Sequence, residues 1–344
     1  MAPDLYSLSA TVQHNCHISD ALHARNYTMC TYLLKMREYF RWEQRFPFNA
    51  ALPKKELGDW LSHRETLWEG LEAEKFEPIQ VKGHRLDPFE TSAINRELLP
   101  HGMVYSGGYG GHAAPHFFLA DLIRAEQREG LPVLIAGREH ARDMAAPPAM
   151  MLDGTLFIRR ESMRRMLWEK IEEWRWKKQQ DAMSRAMNCY DFEASFERAL
   201  EQMTDNEIES ALLHEIGEWR AEKCLGEEWG SILLSVSGTR GELVVRAVRD
   251  HLADCLSTLP ALLEQENDAS LHFYFANFRG MRRELYPELT EAYQRWVDGG
   301  QLHALRNQAR QGAQRWLEKA QNLVSIYRIR PEACAEEIGR MCER

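Results

Sequence analysis

Apolar residues recur every three or four positions along most of the chain, but cluster in short runs in one central stretch. Met29, Tyr32, Leu33, Met36 and Phe40 follow the first pattern, the stripe of an amphipathic helix. It predicts a helix over 20–44, with Asp20 as N-cap and Pro47 just past the end. A second helix is predicted over 54–74. The helical spacing returns from 162, where Met163, Met166, Leu167, Ile171 and Trp174 form one stripe. Thr204-Asp-Asn-Glu207 reads as a capping box that opens a helix to about 224. Further helices are expected over 240–259, stopped by Pro260, and over 271–284, 288–298, 302–321 and 332–342.

Between 76 and 160 prolines are frequent and a glycine cluster runs from Ser106 to His112. Short apolar runs at 102–105, 116–123, 131–136 and 155–158 predict strands, although 116–128 also reads as the start of a helix. Lys82-Gly83 and Glu129-Gly130 are turn signals. The expected fold is mainly α: a helical bundle with a small antiparallel β-rich module inserted after the N-terminal helices. Its parts are N-terminal helices over 1–75, the β-rich module over 76–160 and a C-terminal helical domain over 161–344.

Composition changes this picture little. With 344 residues, 44% hydrophobic and 28% charged, the chain has an ordinary globular balance, which excludes a disordered or collagen-like polymer. Its 43 basic and 52 acidic residues give a net charge of -9, so no nucleic-acid partner is expected. No apolar run approaches the roughly 18 residues of a membrane span, and the first residues lack a secretory pattern. Seven cysteines without a C-x-x-C pair are expected to be reduced thiols. A cytoplasmic protein follows from these expectations.

The candidate chemistry lies where polar groups interrupt apolar stripes. In the helix over 205–224, Glu215 falls among Ile208, Ala211, Leu212, Ile216 and Trp219, while Glu207, His214 and Glu218 border the stripe. His214 and Glu218 stand one turn apart, so both can face one cation. In the helix over 240–259, His251 sits in the middle of the stripe with Asp250 and Asp254 at its edge. Glu43 continues the Met29/Met36/Phe40 stripe, and His14, His17 and His23 crowd the segment before it. Imidazoles and carboxylates without thiolates suit iron or manganese better than zinc. The Glu207–His214 spacing resembles that of haem-oxygenase-like di-iron proteins, but position 257 is Ser where that pattern has a second histidine.

Each group also has a plainer reading. A histidine in a helix stripe is commonly a hydrogen-bonded core residue, and arginines such as Arg159, Arg160 or Arg164 can neutralise the acids. Glu43 has Arg41 and Arg45 beside it. Gly108-Tyr-Gly110-Gly-His-Ala113 matches G-x-G-x-x-A formally, but Pro115 follows and no series of βαβ units continues.

The strings HNCHISDA (14–21), YLLKMREYFRWE (32–43), RRESMRRMLWE (159–169), LLHEIGE (212–218), RAVRDHLADCL (246–256) and SLHFYFAN (270–277) resemble an uncharacterised bacterial family. That family is described as two regions of unknown function, N- and C-terminal. The resemblance implies bacterial origin and a two-part layout, and no activity.

Two functions are expected. The first is a metal-dependent enzyme of non-haem iron or manganese type acting on an unidentified small molecule. His214, Glu218, His251, Asp254 and Glu43 are its metal ligands and Glu215 its catalytic group. The alternative is a non-catalytic interaction or maturation factor that offers a protein partner the Trp/Arg-rich helix 162–177. A metal-free small-molecule binder or hydrolase around His112/His116 and Glu139/His140 is a third reading without a spacing signature.

Overall fold

The computed structural model describes residues 4–110, 114–177 and 179–342, apart from the side chain of Cys342. His112 of the glycine cluster therefore lies outside the described residues. The fold is mainly α and divides into two compact units, 1–169 and 170–344.

The first unit opens with α1 (Leu5–His23), capped by Asp4. This corrects the expected helix start at Asp20, which lies inside α1. The stripe of α1 escapes a hydropathy reading because its buried face carries Asn15, Cys16, His17, Ser19 and Asp20. Apart from His17, which faces Arg64 and Trp68, those groups are satisfied by the main chain that α1 packs on. Gln13 Nε2 donates to the Arg142 carbonyl at 3.1 Å, Cys16 Sγ to that of Phe117 at 3.2 Å, and Asn15 exchanges two bonds with Glu77. After a short break come α2 (Met29–Glu43), capped by Thr28, and α3 (Lys54–Leu71).

A two-stranded hairpin, β1 (Ile79–Val81) and β2 (His84–Leu86), precedes α4 (Thr91–Leu98). The main sheet follows: β3 (Met103–Tyr109), β4 (Pro115–Arg128), β5 (Leu131–Arg142), β6 (Ala149–Leu152) and β7 (Thr155–Arg159), in the order β3-β4-β5-β7-β6. The ambiguous run 116–128 is thus a strand. Positive φ at Lys82-Gly83, Glu129-Gly130 and Asp153-Gly154 makes each a two-residue turn matched to strand twist. β7 pairs antiparallel with β6 but parallel with β5, which corrects the expectation of a wholly antiparallel module. The segment 143–154 carries the chain across the sheet end, so β7 enters β5's edge in the same direction. The amide of Asn95 pairs with both main-chain groups of Tyr105, covering the free edge of β3.

The helix α5 (Arg160–Lys177) contains the boundary between the units. The second unit continues with α6 (Ala182–Asn188), α7 (Phe196–Leu225) and α8 (Glu228–Ser235). Ser195, not Thr204, caps α7; the Thr204 hydroxyl instead bonds the Leu200 carbonyl one turn back. α9 (Arg240–Ala253) runs through a π turn (Asp254–Thr258) into α10 (Leu259–Glu264). Pro260 therefore does not end the helix. It has no N–H for the Leu256 carbonyl, and Arg220 of α7 supplies that bond at 2.6 Å. α11 (Asp268–Asn277), α12 (Met281–Leu285), α13 (Pro287–Val297), α14 (His303–Ile329) and α15 (Pro331–Cys342) complete the unit. One apolar core, including Val248, Leu252, Leu259, Leu289 and Trp316, runs through it.

Candidate functional site

The polar cluster of the second unit forms where α7 crosses the end of α9. Gly217 makes that crossing close. A Cβ there would overlap the Ala253 carbonyl oxygen and stand 2.9 Å from the carbonyl carbon. With only hydrogen in that place, His214 Nδ1 reaches Asp254 Oδ1 at 2.9 Å. His214 Nε2 faces Glu218 one turn along α7 at 3.4 Å, and Arg249 of α9 holds Glu218 at 2.7 Å. Asp254 opens the π turn, a helix irregularity that frequently marks functional sites.

Asp254 is almost fully buried, yet its oxygens are well served. Tyr274 donates to Oδ2 at 2.9 Å and Arg282 also pairs with it. Burial pushes its carboxyl up, but the charge of Arg282 and the bond to His214 hold it far below the usual carboxylate range. Burial likewise works against the charged form of His214. Its bonds to Asp254 and Glu218 reverse that effect and hold the imidazole well above its ordinary value. These bonds thus favour the imidazolium form of His214, which has 31% of its side chain exposed.

Glu215 lies next to this ion cluster. Burial and then the negative charge of Glu218 raise its carboxyl to about 7, against the opposing charges of His214 and Arg249. Two turns before it, buried Glu207 accepts a hydrogen bond from Ser270 Oγ at 2.8 Å, and burial raises it to about 8.

His251 points elsewhere. Its ring is stacked on Trp316 at 4.5 Å, with Tyr286 at 5.4 Å and Phe278 at 5.6 Å. Burial, then the charge of Arg282, lowers its pKa to about 3, and no hydrogen bond joins it to His214, Glu218 or Asp254. Glu43 belongs to the first unit, where Arg64 holds it at 2.5 Å and Trp60 donates to its other oxygen. The same Arg64 lies 2.8 Å from Nε2 of His17, whose pKa burial and then Arg64 lower to about 3. His14 stands 3.7 Å from Glu77, and His23 beside Asn26. The structure thus brings His214, Glu218 and Asp254 together with Glu215 beside them. Among the described residues, no three His, Cys, Asp or Glu side chains stand as a metal-holding group. Asp254 and Glu218 already have their charge matched by arginines.

The interior of the first unit holds ionic groups that sequence reasoning named singly but did not bring together. Glu139 and Arg159 are fully buried and paired at 2.9 Å, with Ser162 Oγ 2.7 Å from the same Glu139 oxygen and Arg142 at 3.7 Å. Parallel pairing of Ala136 with Arg159 brings the polar ends of two apolar runs to one side. Arg159 directly follows the apolar run 155–158, while Arg138 and Glu139 follow the run 131–136 after Gly137, and that was the available signal. Asp20 and Asp143 form a second buried group. Asp20 accepts the Met144 N–H, Asp143 those of Phe117 and Ala146, and burial with Asp143's charge keeps Asp20 well above the carboxylate range. His116 faces Ser106 Oγ at 3.2 Å, while His140 pairs with Asp121 near the surface.

Of the three tryptophans on α5, Trp168 is buried, Trp174 is half-buried with its indole N–H on the Gln179 carbonyl, and Trp176 is 87% exposed. Two family models match the chain, both described as a family of unknown function (DUF6866). The N-terminal domain matches 7–159 and the C-terminal domain 164–344. The chain belongs to the DUF6866 family. The two matches meet within ten residues of the boundary between the compact units, on either side of the start of α5. No curated protein and no solved structure gives a significant match. Membership in DUF6866 therefore names a two-part layout and leaves the chemistry to the residues. No helix among the described residues is long and apolar enough to cross a membrane.

Proposed function

We propose that this DUF6866 protein is an enzyme that moves a proton at the cluster of His214, Glu215 and Asp254 in its second unit. The observation that carries the reading is the 2.9 Å bond between the partly exposed His214 and the buried Asp254, itself fixed by Tyr274 and Arg282. A carboxylate that orients an imidazole is a recurring element of acid–base catalysis. In this reading Glu215 exchanges the proton, because a group that titrates at about 7 is half ionised at neutral pH. The His214 imidazolium faces the negative charge that develops on the substrate and stabilises it. The reaction class is proton abstraction from, or donation to, a small molecule. The net charge of -9 speaks for such a substrate over nucleic acid, and the reading takes a cytoplasmic helical bundle as its frame.

An iron or manganese centre would compete for the same side chains. A divalent ion there would have to displace Arg282 from Asp254 and Arg249 from Glu218, and that exchange of paired charges disfavours it. The test is incubation of the purified chain with a pool of small metabolites, read by mass spectrometry. The expected result is consumption of a compound that Glu215→Gln and His214→Asn abolish and a chelator leaves unchanged. Turnover that both variants retain would overturn the proposal. Turnover lost to the chelator and restored by iron or manganese would replace it with the metal centre.

A further inference from the structure

The first unit contains a cavity of about 400 Å³ lined by α1, α2, α3 and the residues between α1 and α2. That volume falls within the usual range for small-molecule sites, roughly 300–1,000 Å³. Ala21 and Ala24 leave the space open, and Tyr27, Tyr32 and Trp68 line it with aromatic rings. From α3, Glu65, Trp68, Glu69 and Glu72 fall three or four positions apart, so all four share the helix face that borders the cavity.

The charges at this cavity do not cancel. Arg25 is the one cation lining it among the described residues, and it is spent on Glu72 at 2.6 Å. Glu65 receives only a neutral donor, the Tyr32 hydroxyl at 3.0 Å. Glu69 is exposed and takes part in no hydrogen bond or ion pair among the described residues. Two carboxylates of the lining thus have no bonded cation among the described residues, and aromatic rings, whose faces carry negative quadrupole potential, line the same cavity. The chain already uses one of these rings in that way, since Lys35 Nζ lies 5.0 Å over Tyr27.

We infer that this aromatic and acidic cavity binds a small organic ammonium ion, supplied either as a free amine or as the basic side chain of a peptide. Rings supply faces for the cation's C–H and N–H surface, and Glu65 and Glu69 supply its counter-charge. The site is in the other unit from the proposed proton-transfer cluster and shares no residue with it, so each stands or falls alone.

Calorimetric titration of the full chain tests the inference with three probes: choline, its neutral carbon isostere 3,3-dimethylbutan-1-ol, and N-acetyl-lysine methylamide. A cation is expected to bind with a Kd of about 1 mM or tighter, and the neutral isostere at least about tenfold more weakly. Glu69→Gln, at an exposed position, should weaken the cation about fivefold with an unchanged unfolding midpoint, and Tyr27→Leu should weaken it as well. Tighter choline assigns the site to free ammonium compounds, and tighter lysine amide assigns it to a basic peptide side chain. The inference is overturned if neither cation binds at about 10 mM, if the isostere matches the cation, or if Glu69→Gln changes nothing.

Discussion

Gly217→Ala is the most searching perturbation of the second unit, because it touches no ionised group and yet acts on the cluster. The new methyl carbon would stand 2.9 Å from the Ala253 carbonyl carbon and closer still to its oxygen. Restoring an ordinary 3.4 Å contact to that carbon parts the two backbones by at least about 0.5 Å. The same displacement stretches the 2.9 Å bond between His214 and Asp254 to about 3.4 Å or beyond, past good hydrogen-bond geometry. Overpacking costs roughly 1–3 kcal/mol and loss of the charge-assisted bond about 1.5–3 kcal/mol, while alanine's helix preference returns about 1 kcal/mol. The expected net loss is about 1.5–5 kcal/mol. Urea unfolding measures it, and proton NMR of the imidazoles measures the second effect, a fall of the His214 pKa toward its ordinary value. Gly230→Ala is the control, since nothing lies within 4 Å of a Cβ there. If Gly217→Ala stabilises the protein by the helix-preference gain and His214 titrates as before, close approach of α7 and α9 does not set the site.

Three further outcomes follow from the same geometry. Asp254→Asn leaves the Arg282 and His214 charges facing an amide, and should cost about 3–5 kcal/mol in chemical denaturation. The bond to Asp254 raises the His214 pKa in the folded state, so its stabilisation is full below about 6.5 and is lost as pH rises through the raised value; the alkaline slope of stability should therefore flatten in Asp254→Asn. His251 runs the opposite way: with a folded pKa of about 3 against about 6.5 unfolded, the unfolded chain takes up a proton that the folded chain refuses as pH falls below 6.5. Stability present above pH 6.5 should then decline by up to about 1.4 kcal/mol per pH unit down to pH 3, and His251→Phe should remove that slope; parallel curves for the two proteins between pH 6.5 and 4 would show that His251 is not buried neutral. Arg220→Ala strips the Leu256 carbonyl of its donor at the π turn and should cost about 1–3 kcal/mol, whereas an unchanged midpoint would mean that water replaces the guanidinium there.

What could be read in advance follows the physics of each element. Where one face is apolar, as in α3, α5, α13 and α15, periodicity places the helix within a few residues; α14 runs eight residues past its expected end. Where the buried face is polar, periodicity fails: α1 buries Asn15, Ser19 and Asp20 because the main chain of other segments satisfies them. The turns at Lys82, Glu129 and Asp153 are local, and two of the three were legible from their glycines. The direction of β7 depends on how a twelve-residue excursion, 143–154, returns to the sheet, which no local rule supplies. The pairing of buried Glu139 with Arg159 depends on that direction and was not legible for the same reason.

Helical phase explains why one histidine of the expected set joined the cluster and the other did not. Asp254 keeps α-helical φ and ψ of -62° and -40°, so at about 100° per residue it leaves α9 about 60° away from His251 and meets different neighbours. The helix widens only beyond that point, over Asp254–Thr258, before a proline that cannot donate to Leu256. His251 precedes the irregularity and keeps its place in the apolar stripe, sandwiched by Trp316 and Tyr286. Asp254 begins the irregularity and turns toward His214 on α7, where Tyr274 and Arg282 complete its partners. Pro260 and Arg220 therefore act on the site through the backbone that follows Asp254, where the Leu256 carbonyl takes its bond from Arg220. Replacing Pro260 with alanine restores the missing N–H and lets the segment after Asp254 close into regular helix. If that segment helps to hold the carboxylate on His214, the expected result is a lower His214 pKa in a chain at least as stable as the original. A His214 pKa that stays raised in Pro260→Ala would show that the contacts of Asp254 with His214, Tyr274 and Arg282 hold the carboxylate whatever follows it.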